Sequence, residues 1–120
     1  METKIRILIV DDNRRFREAL RAFLDSRPSL LVVGEASNGY EAVEQARTLE
    51  PDLTIVNLDT PDLNGVEATR EIRKTRPGST VLVLTEPDSE SLLSQAIEAG
   101  AIGFLSKSEI RRLMVALKEP

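Results

Sequence analysis

Pro51-Asp52-Leu53-Thr54-Ile55-Val56-Asn57-Leu58-Asp59-Thr60-Pro61-Asp62-Leu63-Asn64-Gly65 is the stretch that decides the fold. Its first part is a short run of apolar and β-branched residues, which predicts a strand. Its second part is rich in Asp, Pro, Asn and Gly, which predicts a turn. Residues 5–10, 30–33, 80–84 and 102–105 form further runs like that at 53–56. All are short, rich in Val, Ile and Leu, and nearly unbroken by polar residues. Strands take this form when both faces of a parallel sheet are covered.

Amphipathic segments lie between the runs. Phe16, Ala19, Leu20, Phe23 and Leu24 recur at helical spacing and share one face. Tyr40, Val43, Ala46 and Leu49 form a poorer face of the same kind, and Leu93, Ala96 and Ile97 lead to Gly100 as a C-terminal cap. Ser89 and Ser108 are predicted helix N-caps. Strands alternating with helices across short loops mean βαβ units with right-handed crossovers, hence an α/β three-layer sandwich. Residues 1–120 form one domain without repeats, low-complexity tracts or linkers. The last helix, predicted over 108–117, stops at Lys118-Glu119-Pro120. Such an end fits either a boundary within a longer protein or a natural short chain.

In an open parallel sheet, ligands bind beyond the carboxyl ends of the strands. The first strand delivers Asp11 and Asp12 there, the third Asn57 and then Asp59, the fourth Thr85, and the fifth is followed by Lys107. Two adjacent acids, an amide, a hydroxyl and an ammonium therefore converge on one crevice. Each has a plainer reading by itself. An Asp-Asp pair after a strand often caps a helix, Asp59 and Asp62 are turn acids, and a lone lysine is usually a surface charge. Glu67, Arg70, Glu71, Arg73 and Lys74 read as a solvated helix face.

Composition narrows the function. The chain is 41% hydrophobic and 30% charged, ordinary for a soluble globular protein. It has no Cys, so neither a disulfide framework nor a thiolate metal site, and a reducing cytoplasm is the natural setting. It has no His, which removes the commonest general base and any phosphohistidine. A net charge of −4 without a basic tract argues against direct binding to nucleic acid or to an anionic membrane. No signal peptide or spanning apolar run is present.

The segment from Pro51 to Gly65 resembles the phosphoacceptor stretch of bacterial response-regulator receiver domains, written PDLhhhDhxMPxxxG. The resemblance extends over essentially the whole chain. It implies a flavodoxin-like doubly wound (βα)5 fold with a parallel five-stranded sheet in the order 2-1-3-4-5. Asp11 and Asp12 match the acidic pair that holds a divalent cation, usually Mg²⁺, and Asp59 matches the position whose backbone carbonyl joins the metal shell. Thr85 matches the switch hydroxyl, Phe104 the switch aromatic, and Lys107 the lysine that pairs with the phosphoryl group. Pro61 and Gly65 fit the turn after the third strand. The run from Ala99 to Ser108 is similar to the AGAxGYLLK segment of the subfamily whose output is a LuxR-type helix-turn-helix.

Two positions depart from the pattern. Asn57 stands where the family has its phosphoaccepting aspartate, and Thr60 where it has Met. An amide nitrogen is no nucleophile toward phosphorus at neutral pH. Asn57 also removes one negative charge from a set of close carboxylates, so Mg²⁺ binding is expected to be weak or absent. The resemblance implies a non-enzymatic module that meets a histidine kinase or another regulatory protein, forms a homodimer through helix faces, and controls an output domain absent from these residues. One alternative is an ordinary phosphoreceiver with an introduced Asp-to-Asn change. A remoter one is an inactive phosphatase, since Asn57-Leu58-Asp59-Thr60 resembles part of the DxDxT motif of haloacid-dehalogenase-type enzymes. The Asp59 side chain is the one candidate for a substitute acceptor.

Overall fold

The structure, a computed structural model, describes residues 3–117. The predicted ends at Met1 and at Lys118 to Pro120 lie outside them. In chain order the elements are β1 (Ile5–Val10), α1 (Arg14–Asp25), β2 (Leu30–Ala36), α2 (Gly39–Leu49), β3 (Leu53–Asn57), α3 (Gly65–Thr75), β4 (Thr80–Thr85), a 3-10 turn (Pro87–Leu92), α4 (Leu93–Glu98), β5 (Gly103–Ser106) and α5 (Lys107–Ala116). The strands form one parallel sheet ordered β2-β1-β3-β4-β5, the α/β flavodoxin-like arrangement expected.

Side chains alternate across a strand, so each buried strand feeds two cores. Leu8 and Val10 of β1 join Val56, Val81 and Val83 on the face covered by α2, α3 and α4. Ile7 and Ile9 join Ile55 and Leu84 on the other face, where α1 and α5 supply Phe16, Leu20, Leu24 and Ile110. β1, β3 and β4 have strands on both sides and helices on both faces. Their C-terminal ends are thus the most tightly framed points of the molecule.

Several local expectations are corrected. Strands β2, β3 and β4 continue past their apolar runs to Ala36, Asn57 and Thr85, because ladder bonds extend pairing into polar residues. β5 starts at Gly103, and Ile102 before it is exposed. Ser108 is not a cap. Ser106 caps α5, accepting from the Glu109 amide while Glu109 accepts from the Ser106 amide, so the helix begins at Lys107. Ser89 lies inside the 3-10 turn, which follows Glu86. Tyr40 and Ala19 are exposed; α2 buries Ala46 as expected, together with Ala42, which the expected face left out. Gly100 does end α4, at φ +116°.

The turn after β3 is set by two residues. Asp62 adopts φ 67°, a left-handed conformation that Asp tolerates. Gly65 starts α3 against the strand end, where a Cβ would lie 2.6 Å from Leu58 Cα and 2.9 Å from the Asn57 carbonyl oxygen. Asn64 caps α3 by accepting from the amides of Val66 and Glu67.

Candidate functional site

The ladder register brings the polar residues together. Val10 pairs with Val56, and Asn57 with Leu84, so Asp11 and Asn57 leave the sheet side by side. Thr85 pairs with Ser106, and Lys107 follows directly. Asp11, Asn57, Thr85 and Lys107 are all buried.

Asp11 is the most constrained. One carboxylate oxygen, Oδ1, accepts from the Asn13 amide at 2.9 Å. The other, Oδ2, lies 2.7 Å from Lys107 Nζ. Lys107 is thus its ion-pair partner. Burial pushes the Asp11 carboxyl up, and Lys107 draws it back only in part, leaving it above its ordinary value. The backbone carbonyl of Asp11 accepts from the Arg17 guanidinium at 2.7 Å, and Arg17 also pairs with Glu35 of β2 at 3.0 Å. Helix α1 thereby grips the ends of both β1 and β2. At Glu35 burial alone pushes the carboxyl up, but the bonds from Arg21 and Arg17 outweigh it and hold the group low.

Lys107 enters from the first turn of α5. Its Nζ lies over the ring of Phe16, 4.4 Å from the centroid, a cation–π contact that supports a buried ammonium. Asn57 directs its amide nitrogen to Glu86 Oε2 at 3.3 Å and receives a long contact of 3.4 Å from the Asp59 amide on its oxygen. Glu86 also lies 3.7 Å from Lys107 Nζ. Sequence reasoning overlooked this residue because on the fourth strand it stopped at Thr85. The available signal was Pro87, which holds the preceding residue extended and so carries the line of β4 one residue further.

The structure thus joins Asp11, Asn57 and Lys107, with Thr85 buried at the adjoining end of β4. Asp12 and Asp59 flank this group as exposed residues, Asp12 beside Asp11 and Asp59 with its backbone amide on the Asn57 oxygen. Phe104 is 51% exposed and packs in neither core. Its ring and Thr85 instead line a shallow hollow with Leu93 and Arg112. A separate hollow of about 1090 Å³ lies between α1 and α5, lined by Ala19, Phe23 and Met114.

A hard cation such as Mg²⁺ takes oxygen donors. Asp11, Asp12, the Asn57 amide oxygen and the Asp59 carbonyl are of that chemistry, but Asp11 Oδ2 is buried against Lys107. Among the described residues no three His, Cys, Asp or Glu side chains cluster as a metal centre would have them. Lys107 already supplies a positive charge to Asp11.

Comparison with known proteins gives this geometry its context. Escherichia coli nitrate/nitrite response regulator protein NarL is 33% identical over 114 residues, covering 94% of this chain and 53% of that protein. A protein-glutamate methylesterase/protein-glutamine glutaminase of Methanosarcina acetivorans is 41% identical over 108 residues, 88% of this chain and 30% of the relative. The chain therefore spans about half or less of these relatives. The response regulator domain of Thermotoga maritima CheB superposes with a TM-score of 0.85 at 34% identity, covering 95% of this chain and 90% of that one. No helix among the described residues is long and apolar enough to cross a membrane. The model of the response regulator receiver domain matches residues 7–118, nearly the whole sheet and all its helices, and the chain belongs to that family.

Proposed function

We propose that this receiver domain regulates its partners without carrying a phosphoryl group at Asn57. The observation that carries this reading is the buried Asn57 amide at the β3 terminus, engaged by Glu86 and by the Asp59 backbone where a nucleophilic carboxylate would be needed. Phosphoryl transfer needs an attacking oxygen, a cation for the developing charge and donors around the equatorial oxygens. Thr85 and Lys107 supply the donors, but Asn57 supplies no nucleophile. Mg²⁺ binding at Asp11, Asp12, Asn57 and Asp59 is weak in this reading, with one carboxylate fewer and Lys107 against Asp11. The domain is then a conformational and interaction module. It meets a histidine kinase, a regulatory protein or a second copy, in the cytoplasm, and acts on a LuxR-type DNA-binding output, as the resemblance of the segment from Ala99 to Ser108 suggests. It has no catalytic activity of its own.

Intact mass after incubation with acetyl phosphate and Mg²⁺, beside Asn57→Asp, tests this. The expected result is no change in this chain and a labile gain of one phosphoryl group in the variant. Modification of neither leaves a pocket that has diverged beyond residue 57. A phosphoryl group on the unaltered chain, on Asp59 for instance, overturns the reading. No observation favours the phosphatase alternative, whose motif belongs on a first strand while Asn57 ends β3.

A further inference from the structure

We propose that Glu86 is a built-in anion for this pocket, its carboxylate standing between the Asn57 amide and the Lys107 ammonium where a phosphoryl-sized anion would otherwise bind. This deepens the reading above, because it says what the pocket holds in place of a phosphoryl group.

Three observations carry it. The first is the double contact, since Glu86 Oε2 lies 3.3 Å from Asn57 Nδ2 and 3.7 Å from Lys107 Nζ. These are two of the side-chain donors that a tetrahedral anion at the end of β3 would meet, the Thr85 hydroxyl being a third. The second is backbone restraint. Pro87 confines Glu86 to an extended conformation, observed at φ −123° and ψ 165°. Buried Ser89 then clamps the same residue, its Oγ accepting from the Glu86 amide at 2.9 Å and donating to the Glu86 carbonyl at 3.1 Å. With the turn held through the backbone, the carboxylate is free to face inward. The third is the charge balance. Lys107 is already matched by Asp11 at 2.7 Å, so Glu86 leaves the pocket with an excess negative charge. An incoming anion must displace Glu86 or meet its repulsion. The Glu86 side chain is 38% exposed, so it can leave the pocket without unpacking either core.

The consequence is a closed anion site. The native chain should bind small oxyanions poorly at Lys107, although the donors are present. Replacing the carboxylate by an amide or a methyl should open it.

The test is an NMR titration of the Mg²⁺-free protein with inorganic phosphate at constant ionic strength, following the backbone amides of Asn57, Thr85 and Lys107. Glu86→Gln and Glu86→Ala are compared with the native chain, and thermal melts check that each is folded. Expected is a saturable site in both variants, with phosphate bound about tenfold tighter than in the native chain. That is the scale of one charge pair in partly screened surroundings. Equal affinity in all three proteins overturns the proposal, as does absence of binding in all three. So do saturable shifts confined to residues away from the pocket. Free phosphate transfers no phosphoryl group, so failure here leaves the Asn57 reading intact, and that reading fails only in the acetyl phosphate experiment.

Discussion

Asn57 and Glu86 are matched as donor and acceptor, and an aspartate at the same place would not be. A carboxylate there would face Glu86 across about the present 3.3 Å, with buried Asp11 beside it and only Lys107 to offset the three. Asn57→Asp is therefore expected to lower the stability of the metal-free protein by about 1 kcal/mol, the worth of one partly screened charge pair. It should also make the melting temperature rise further with added Mg²⁺. Thermal melts at low and high Mg²⁺ check both, and identical behaviour of the two proteins would refute the electrostatic account. Lys107→Met tests the other half of the balance. Losing one partner of a buried pair costs about 3 kcal/mol when the remaining charge stays ionised. Burial already raises the Asp11 carboxyl above its ordinary value, so the folded protein holds that proton more tightly than the unfolded chain does. Its contribution is full below the unfolded value and is lost as pH rises through the folded value. Without Lys107 the carboxyl is pushed higher still. The cost of Lys107→Met should accordingly be largest near pH 8 and shrink as the pH falls and Asp11 takes up its proton. Urea unfolding across that range gives the answer, and a pH-independent cost would mean that Asp11 is not the group responsible.

The segments after the strands depend on close approach as much as on pairing. Gly65 has no room for a side chain over Leu58 and Asn57. Gly65→Ala should destabilise by about 1–3 kcal/mol through forced displacement of α3 or of the β3 end. Urea unfolding reads the loss, and chemical-shift changes at Asn57 would locate it. An unchanged midpoint would mean that the helix start gives way freely. This is also where sequence reading fell short. Apolar runs marked the strands but not their ends, because Glu35, Ala36, Asn57 and Thr85 continue ladders that depend on neighbouring backbone and not on side-chain polarity. Ser106 and Ser108 are equally good caps as residues. The choice between them was made by Glu109, three residues after Ser106, completing the reciprocal bond.

For the molecule as a whole, the run of strands and helices was legible because β1, β3 and β4 each serve two cores, which leaves nearly continuous apolar runs. The convergence of Asp11, Asn57, Thr85 and Lys107 was legible from topology alone, since every strand points its end at the same edge. Glu86 was not, because its role depends on a loop direction set by Pro87 and Ser89. Nor was the outward position of Phe104, a rotamer choice at the sheet's edge. The double framing of β1 and β3 has a dynamic counterpart. Amides of Ile9, Val10, Ile55 and Val56 should exchange only on global unfolding, while those of β5, with a neighbour on one side only, open at least about tenfold faster. Native-state hydrogen exchange measures this, and equally slow amides in β5 would contradict it. The half-exposed ring of Phe104 has a further use. The chain contains no Trp, and its one Tyr, Tyr40, is exposed on α2, across the sheet from β5. An indole placed at residue 104 would be the sole fluorophore excited at long ultraviolet wavelengths. Its emission colour would report, from a single site, whether that edge of the domain stands in water or has been covered.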